Sequence, residues 1–252
     1  MLTKAIGFVK RALQSQRSQA STADVRIVGV PRSGTNYCKF LIESNSDLDS
    51  AFNLGWWKHA VIPPIMNMEG PVTNDTPTLV LYREPVEQMI SFYKFAAQGR
   101  TAIMTTATDF SGFLRSPIVM QPHPGMEYWF PDPISYWLQF YYAALAWRGP
   151  KALLDLGALR SHPDLAFNWL KANVPRTFRF ALERAHTDQY IGRNSDRQTG
   201  SNLVFEQNTS FEDEQAKNAK LISEVSDVDM RLIEDSGVSD LYKRLNDPES
   251  SS

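Results

Sequence analysis

The sequence predicts an α/β fold with a mainly parallel sheet flanked by helices. Three observations carry that expectation. A β-branched run (Val25, Ile27, Val28, Val30) meets the turn Pro31-Arg32-Ser33-Gly34-Thr35-Asn36, and apolar residues follow at helical spacing (Tyr37, Phe40, Leu41). The run Thr78 to Tyr82 feeds straight into Arg83-Glu84-Pro85 and a second helical pattern, with Pro85 in a first turn where its missing N–H costs nothing. The stretch Ile134 to Trp147 is apolar almost all round, and at that length it is a buried core helix, not a membrane span. With 252 residues, 42% hydrophobic and 21% charged, the chain is long enough to bury the core of one sizeable domain.

The first 22 residues scatter Lys4, Lys10, Arg11 and Arg17 among short apolar groups. No apolar run there spans a bilayer and no signal-peptide core stands before a small-residue cleavage site. Residues 1–22 therefore read as a leader, either a frayed helix or a basic amphipathic helix in peripheral contact with a membrane or a partner. The domain is expected over 23–246, with a disordered tail at 247–252. A net charge of −2 offers no steering toward nucleic acid, so any anion site is local. The single cysteine, Cys38, lies on the first helix as a small core residue, which excludes an intramolecular disulfide and points to a reducing, cytoplasmic compartment.

The turn after the first strand reads as an anion cradle. Backbone N–H groups and the positive end of the following helix converge there, Gly34 permits close approach, and Arg32, Ser33, Thr35 and Asn36 add charge and donors. Gly29 and Gly34 stand at the spacing of GxxxxGK[ST], yet Thr35 and Asn36 replace the Lys and the Ser/Thr. A conventional magnesium-dependent ATPase or kinase is thereby disfavoured, and an anion bound without metal stays open.

These residues resemble the sulfotransferase family that uses 3′-phosphoadenosine 5′-phosphosulfate (PAPS). Pro31 to Thr35 match its Pro-[Lys/Arg]-Ser-Gly-Thr loop, which holds the 5′-phosphosulfate. Arg83, Glu84, Pro85 and Ser91 match its second signature, a strand ending in Arg-[Asp/Glu]-Pro with a Ser eight residues after the Arg. The resemblance implies a three-layer P-loop-type fold, a 3′-phosphate held by Arg83 and Ser91, and no metal in the site. A salt bridge from Arg83 to a nearby carboxylate is the competing account. The family's cytosolic branch carries a catalytic Lys-x-His-x-Pro stretch between the two signatures. Lys58-His59 resembles it in place, with the intervening residue absent. His59 is thus the candidate general base and Lys58 the neutraliser of charge on the bridging oxygen; a backbone-satisfied histidine beside a solvated lysine is the alternative.

The remaining elements follow in order. Ser44 to Leu54 is polar and reads as a connection or short helix, and Gly55 to Pro64 as the end of a strand passing into a rigid loop. Met66 to Thr76 is a Pro/Gly/Asn/Asp loop. Phe92 to Phe113 continues as helix and then loop. Leu114 to Pro133 is rich in Pro, Gly and aromatic residues and is expected as a stiff lid or acceptor-binding loop, with His123 and Glu127 as alternative bases. Lys151 to Val174 resembles the family's strand, acidic turn and Pro-started helix, through Asp155 and Pro163. Thr177 to Glu183 fits either strand or helix. Arg193 and Arg197 lie where the family has a basic loop near the 3′-phosphate. Glu206 to Lys220 reads as exposed, and a last helix starts at Ser226 with Asp229 three residues on.

The implied activity is in-line sulfuryl transfer from PAPS, releasing adenosine 3′,5′-bisphosphate (PAP), to a small-molecule, glycan or lipid-headgroup acceptor. Two rivals remain: a nucleotide kinase or hydrolase with a degenerate phosphate loop, and a catalytically silent nucleotide-binding protein.

Overall fold

The computed structural model describes residues 23–52, 57–61, 75–97, 103–123, 126–182, 189–191, 204–206 and 211–247. The leader 1–22, Pro63-Pro64, the stretch 66–74, Arg193, Arg197 and the tail beyond 247 lie outside the described residues.

Four parallel strands form the central sheet in the order β2-β1-β3-β7: β1 Val25–Gly29, β2 Ser50–Ala51, β3 Thr78–Tyr82 and β7 Lys151–Asp155. In register, Ile27 faces Leu79 and Gly29 faces Leu81, while Leu79 faces Ala152 and Tyr82 faces Asp155. Apart from Arg26 and Thr78, both buried, β1 and β3 are apolar, as strands covered on both faces are.

Helices cover both faces. Val25, Ile27, Leu79, Leu81, Ala152 and Leu154 pack against α1 (Thr35–Asn45), α5 (Leu156–Ser161) and α6 (Asp164–Asn173). Val28, Val80, Tyr82 and Leu153 point the other way. They meet α2 (Pro85–Ala97), α4 (Pro133–Ala146), α8 (Asp227–Asp235) and α9 (Val238–Leu245). The period of two along each strand thus assigns every helix to a layer. Within α4, Tyr136, Trp137, Phe140 and Tyr141 are fully buried, whereas Tyr142 is half exposed, so the nearly all-apolar helix keeps one wet edge. Asp132 caps it, its Oδ1 accepting from the Ser135 N–H at 2.6 Å. No described helix is long and apolar enough to cross a membrane.

Three segments differ from their sequence reading. The Pro- and aromatic-rich segment is no irregular lid: β5 (Ile118–His123) and β6 (Met126–Phe130) pair antiparallel, with β4 (Ile103–Met104) on the far edge of β5. Ile118 and Met120 point inward and are buried, an alternation that the prolines obscured. The polar stretch after α1 holds β2, whose Ser50 is gripped by two buried side chains of α1. Lys39 is ion-paired to Glu43 and donates to the Ser50 carbonyl at 2.7 Å, and the Ser50 hydroxyl donates to Glu43 at 2.8 Å. The last helix is two: Ser226 caps α8 as expected, but Gly237, at φ +86°, ends that run and opens α9. Between β9 and α8, the exposed-reading stretch contains a further helix, α7 (Phe211–Ser223); β8 (Gln189–Ile191) and β9 (Val204–Glu206) form a two-stranded antiparallel pair.

The C-terminal helices are fastened by polar contacts as well as by Leu241 and Leu245. The Tyr82 hydroxyl donates to the Leu245 carbonyl at 3.0 Å, and Asp229 accepts from Arg115 at 2.5 Å and from Ser111 at 2.9 Å. Burial raises the Asp229 carboxyl, but bonds from Arg115, Ser226 and Ser111 outweigh it and hold the group below the ordinary carboxylate range. A folded value below the unfolded one adds stability above the unfolded pKa that is lost as pH falls through the folded one. Asp229→Asn is therefore expected to lower Tm at pH 7, and the gap to the parent should narrow progressively as pH falls below the ordinary Asp pKa of about 3.9. A gap of constant size through the whole acid range would rule out the charged contact as its source.

Candidate functional site

The site sits where the strand order turns back on itself. From β1 the chain crosses to β2 on one side and then to β3 on the other, so the connections leaving β1 and β3 diverge and open a crevice beyond their carboxyl ends. Both motifs occupy that rim: residues 30–34 follow β1, and Arg83 follows β3.

The glycine turn is tightly specified. Gly34, the residue before α1, has φ +94°, and a Cβ there would stand 2.4 Å from Leu156 Cδ1, so only glycine fits. Arg32 also adopts a left-handed conformation, φ +71°, which is uncommon for a residue with a side chain. Gly34 has no side chain with which to cap α1. Arg32 and Asn36 are exposed, while Thr35 and Ser33 are buried. Ser33 is turned beneath the loop, since a Cβ on Gly29 would come within 2.2 Å of its Oγ. Its N–H donates to the Val30 carbonyl at 3.1 Å. Ser33 thus lies on the inner side of the turn, and Arg32, Gly34 and Asn36 on the outer.

The two motifs touch. Arg32 Nε donates to Ser91 Oγ at 3.1 Å, across 59 positions of sequence. The Arg32 guanidinium also lies 5.6 Å from the Phe95 ring centroid. Arg83 is buried, and its Nε donates to Glu87 Oε2 at 2.9 Å. Glu87 and Ser91 lie one turn apart on α2, and Arg83 stands just before that helix. Ser91 meets the loop arginine, and Arg83 is paired with Glu87, the salt bridge that the sequence reading set against a phosphate contact. Glu84 fixes the entry to that helix, accepting from the N–H groups of Val86 at 3.2 Å and Glu87 at 2.7 Å.

Lys58-His59 is brought to the same rim by pairing with the end of β1. The Gly29 N–H donates to the Lys58 carbonyl at 3.0 Å, and His59 Nδ1 lies 2.5 Å from the Gly29 carbonyl. A carbonyl only accepts, so Nδ1 carries the proton and Nε2 keeps its lone pair. Burial first, and then the Lys58 charge, push the His59 pKa well below its ordinary value, against the opposing bond to Gly29. The ring is neutral at neutral pH. Lys58 Nζ donates to Asn36 Oδ1 at 3.0 Å and lies 3.7 Å from the Phe52 ring centroid, linking the turn to the head of α1. Three aromatic residues complete the wall. Trp57 stands edge-on to His59 at 5.0 Å and near-parallel to Tyr128 at 6.2 Å, and the Tyr136 hydroxyl donates to the His59 carbonyl at 2.6 Å.

Of the alternative bases, Glu127 is exposed on β6 and accepts from Gln121 at 3.0 Å; the His123 side chain lies outside the described residues. Arg32, Lys58 and the head of α1 bring positive charge and donors to the outer side of the turn, and Glu87 brings a carboxylate to Arg83. Among the described residues no group of three His, Cys, Asp or Glu side chains could hold a metal ion. No family model, curated protein or solved structure matches the chain.

Proposed function

We propose that this protein is a sulfotransferase of P-loop type, moving a sulfuryl group from PAPS to a hydroxyl or amine of a small-molecule, glycan or lipid-headgroup acceptor in the cytoplasm. The observation that carries this reading is the Arg32 to Ser91 contact, which joins the two cofactor motifs at one strand-end crevice. When bound, the nucleotide would supply the activated sulfuryl group. Arg32, Gly34, Thr35 and Asn36, with the amides opening α1, would hold the phosphosulfate, and Ser33 would support the turn from inside. Arg83 and Ser91 would meet the 3′-phosphate, Arg83 keeping Glu87 as its orienting partner.

The protein's part in the reaction is alignment and placed positive charge. His59 Nε2 would take the acceptor's proton and later return it to solvent, and Lys58 would offset the negative charge gained by the departing phosphate. With PAP and the sulfated acceptor as products, all atoms are accounted for.

The test is ligand-induced stabilisation. A ligand at 100 times its Kd adds about 2.7 kcal/mol, which for a chain of this size raises Tm by roughly 5–10 °C. PAP is expected to give such a shift, 5′-AMP much less, and ATP with magnesium no more than AMP. A shift for ATP with magnesium alone would replace this reading with the kinase or hydrolase one. Binding of PAP without sulfation of any hydroxylated acceptor would favour the silent binding protein.

A further inference from the structure

Beneath the glycine turn lies a polar side chain that the proposed chemistry does not use. Gln88, on α2 between Arg83 and Ser91, is fully buried. Its Oε1 accepts from Trp137 Nε1 at 3.0 Å. Indole nitrogen only donates, so this contact fixes the orientation of the amide and aims Nε2 the other way. Nε2 donates to the Pro31 carbonyl at 3.2 Å and approaches the Val30 carbonyl at 3.5 Å. These are the carbonyls immediately before Arg32, the one described non-glycine residue with positive φ. Such a conformation persists only where the surroundings over-determine it. Nearby, the Tyr141 hydroxyl donates to the Leu81 carbonyl at 2.9 Å, tying α4 to the end of β3.

We propose that Gln88 is a positioning residue: by gripping the Pro31 carbonyl it holds the Pro31-Arg32 peptide in the orientation that presents Arg32 and the turn to an anion. Helix α2 then controls the turn twice, through Gln88 from within and through Ser91 at the rim, three residues apart and so on neighbouring positions of one helix. This rests on the reading of the turn as an anion site. A leucine or hydrophobic core residue at position 88 would fill the space, so burial alone does not explain an amide that satisfies both its ends.

The experiment compares Gln88→Glu and Gln88→Met with the parent, using PAP and inorganic pyrophosphate as probes. Glutamate keeps the acceptor for Trp137 and loses the donor to Pro31; methionine keeps the volume and loses both. Each is expected to weaken PAP binding by 10-fold or more. Phe167→Leu, in the core on the opposite face of the sheet, serves as the stability-matched control and should bind PAP within threefold of the parent. On the unmodified protein, the Gln88 side-chain amide resonances are expected to move as PAP is titrated. That measurement decides the matter if neither variant folds. Parent-like affinity in either folded variant, an equal loss in Phe167→Leu, or unmoved Gln88 amide resonances would overturn the proposal. Pyrophosphate binding by the parent without PAP binding would instead sink the sulfotransferase reading, and the Gln88 effect would then be read with pyrophosphate. A parent that binds neither probe would end both.

Discussion

Replacing His59 with alanine is expected to lower sulfuryl transfer by roughly 10²–10⁴-fold, the usual worth of a positioned base, while PAP affinity changes little. Nδ1–H is committed to the Gly29 carbonyl, so the ring cannot rotate freely and Nε2 is left as the basic atom. Its pKa, driven well down by burial and by Lys58, keeps Nε2 unprotonated through the neutral range. Transfer rate should therefore show no loss of activity on going from pH 8 to about 6.5, the ordinary histidine pKa, as an unperturbed base would give. The same shift has a stability consequence of definite sign. A histidine whose folded pKa is depressed contributes stability that is complete above its unfolded pKa and is lost as pH falls toward the folded one. Between about pH 7 and 5 the parent should lose stability faster than His59→Gln, which has no ring to titrate. Unchanged turnover in the alanine variant would move the base elsewhere, with Glu127 next in line.

The second large effect concerns folding. Lys39 and Glu43 form an ion pair whose side chains are 4% and 0% exposed, and both reach β2 through Ser50. Removing one partner leaves the other charge buried without compensation, which costs about 3–5 kcal/mol. Lys39→Met and Glu43→Leu are each expected to lower Tm by roughly 10 °C, given about 2–4 °C per kcal/mol at this size. The double variant should recover most of that loss, since two packed apolar side chains replace a pair whose mutual attraction mainly repaid its own desolvation. Additive losses in the double variant, measured by urea unfolding, would refute the pairing as the source of the effect. β2 escaped the sequence pattern because it is two residues long and is held by side chains of α1, which its own stretch does not show.

Much of the fold was legible because its signals are local. β1, β3 and α2 lie where apolar runs, glycine and proline placed them, and Ser226 caps α8 as its spacing with Asp229 indicates. The antiparallel β4-β5-β6 sheet was not, since prolines and aromatic residues broke the alternation that marks strands. For the site, the two motifs were readable as candidate anion grips expected to close on one ligand. The direct bond from Arg32 to Ser91 was not.

From its own letters the chain specified the strand, turn and helix units and the residue types that can grip an anion, because backbone preference and periodicity act over a few neighbours. Partner choice across the chain was settled only in three dimensions: Ser91 with Arg32, His59 with Gly29, Gln88 with Pro31. The reason is the lateral order of the sheet. Setting β3 beside β1, with β2 on the far side, brings turns from distant parts of the chain to one rim, and neither propensity nor spacing encodes that order.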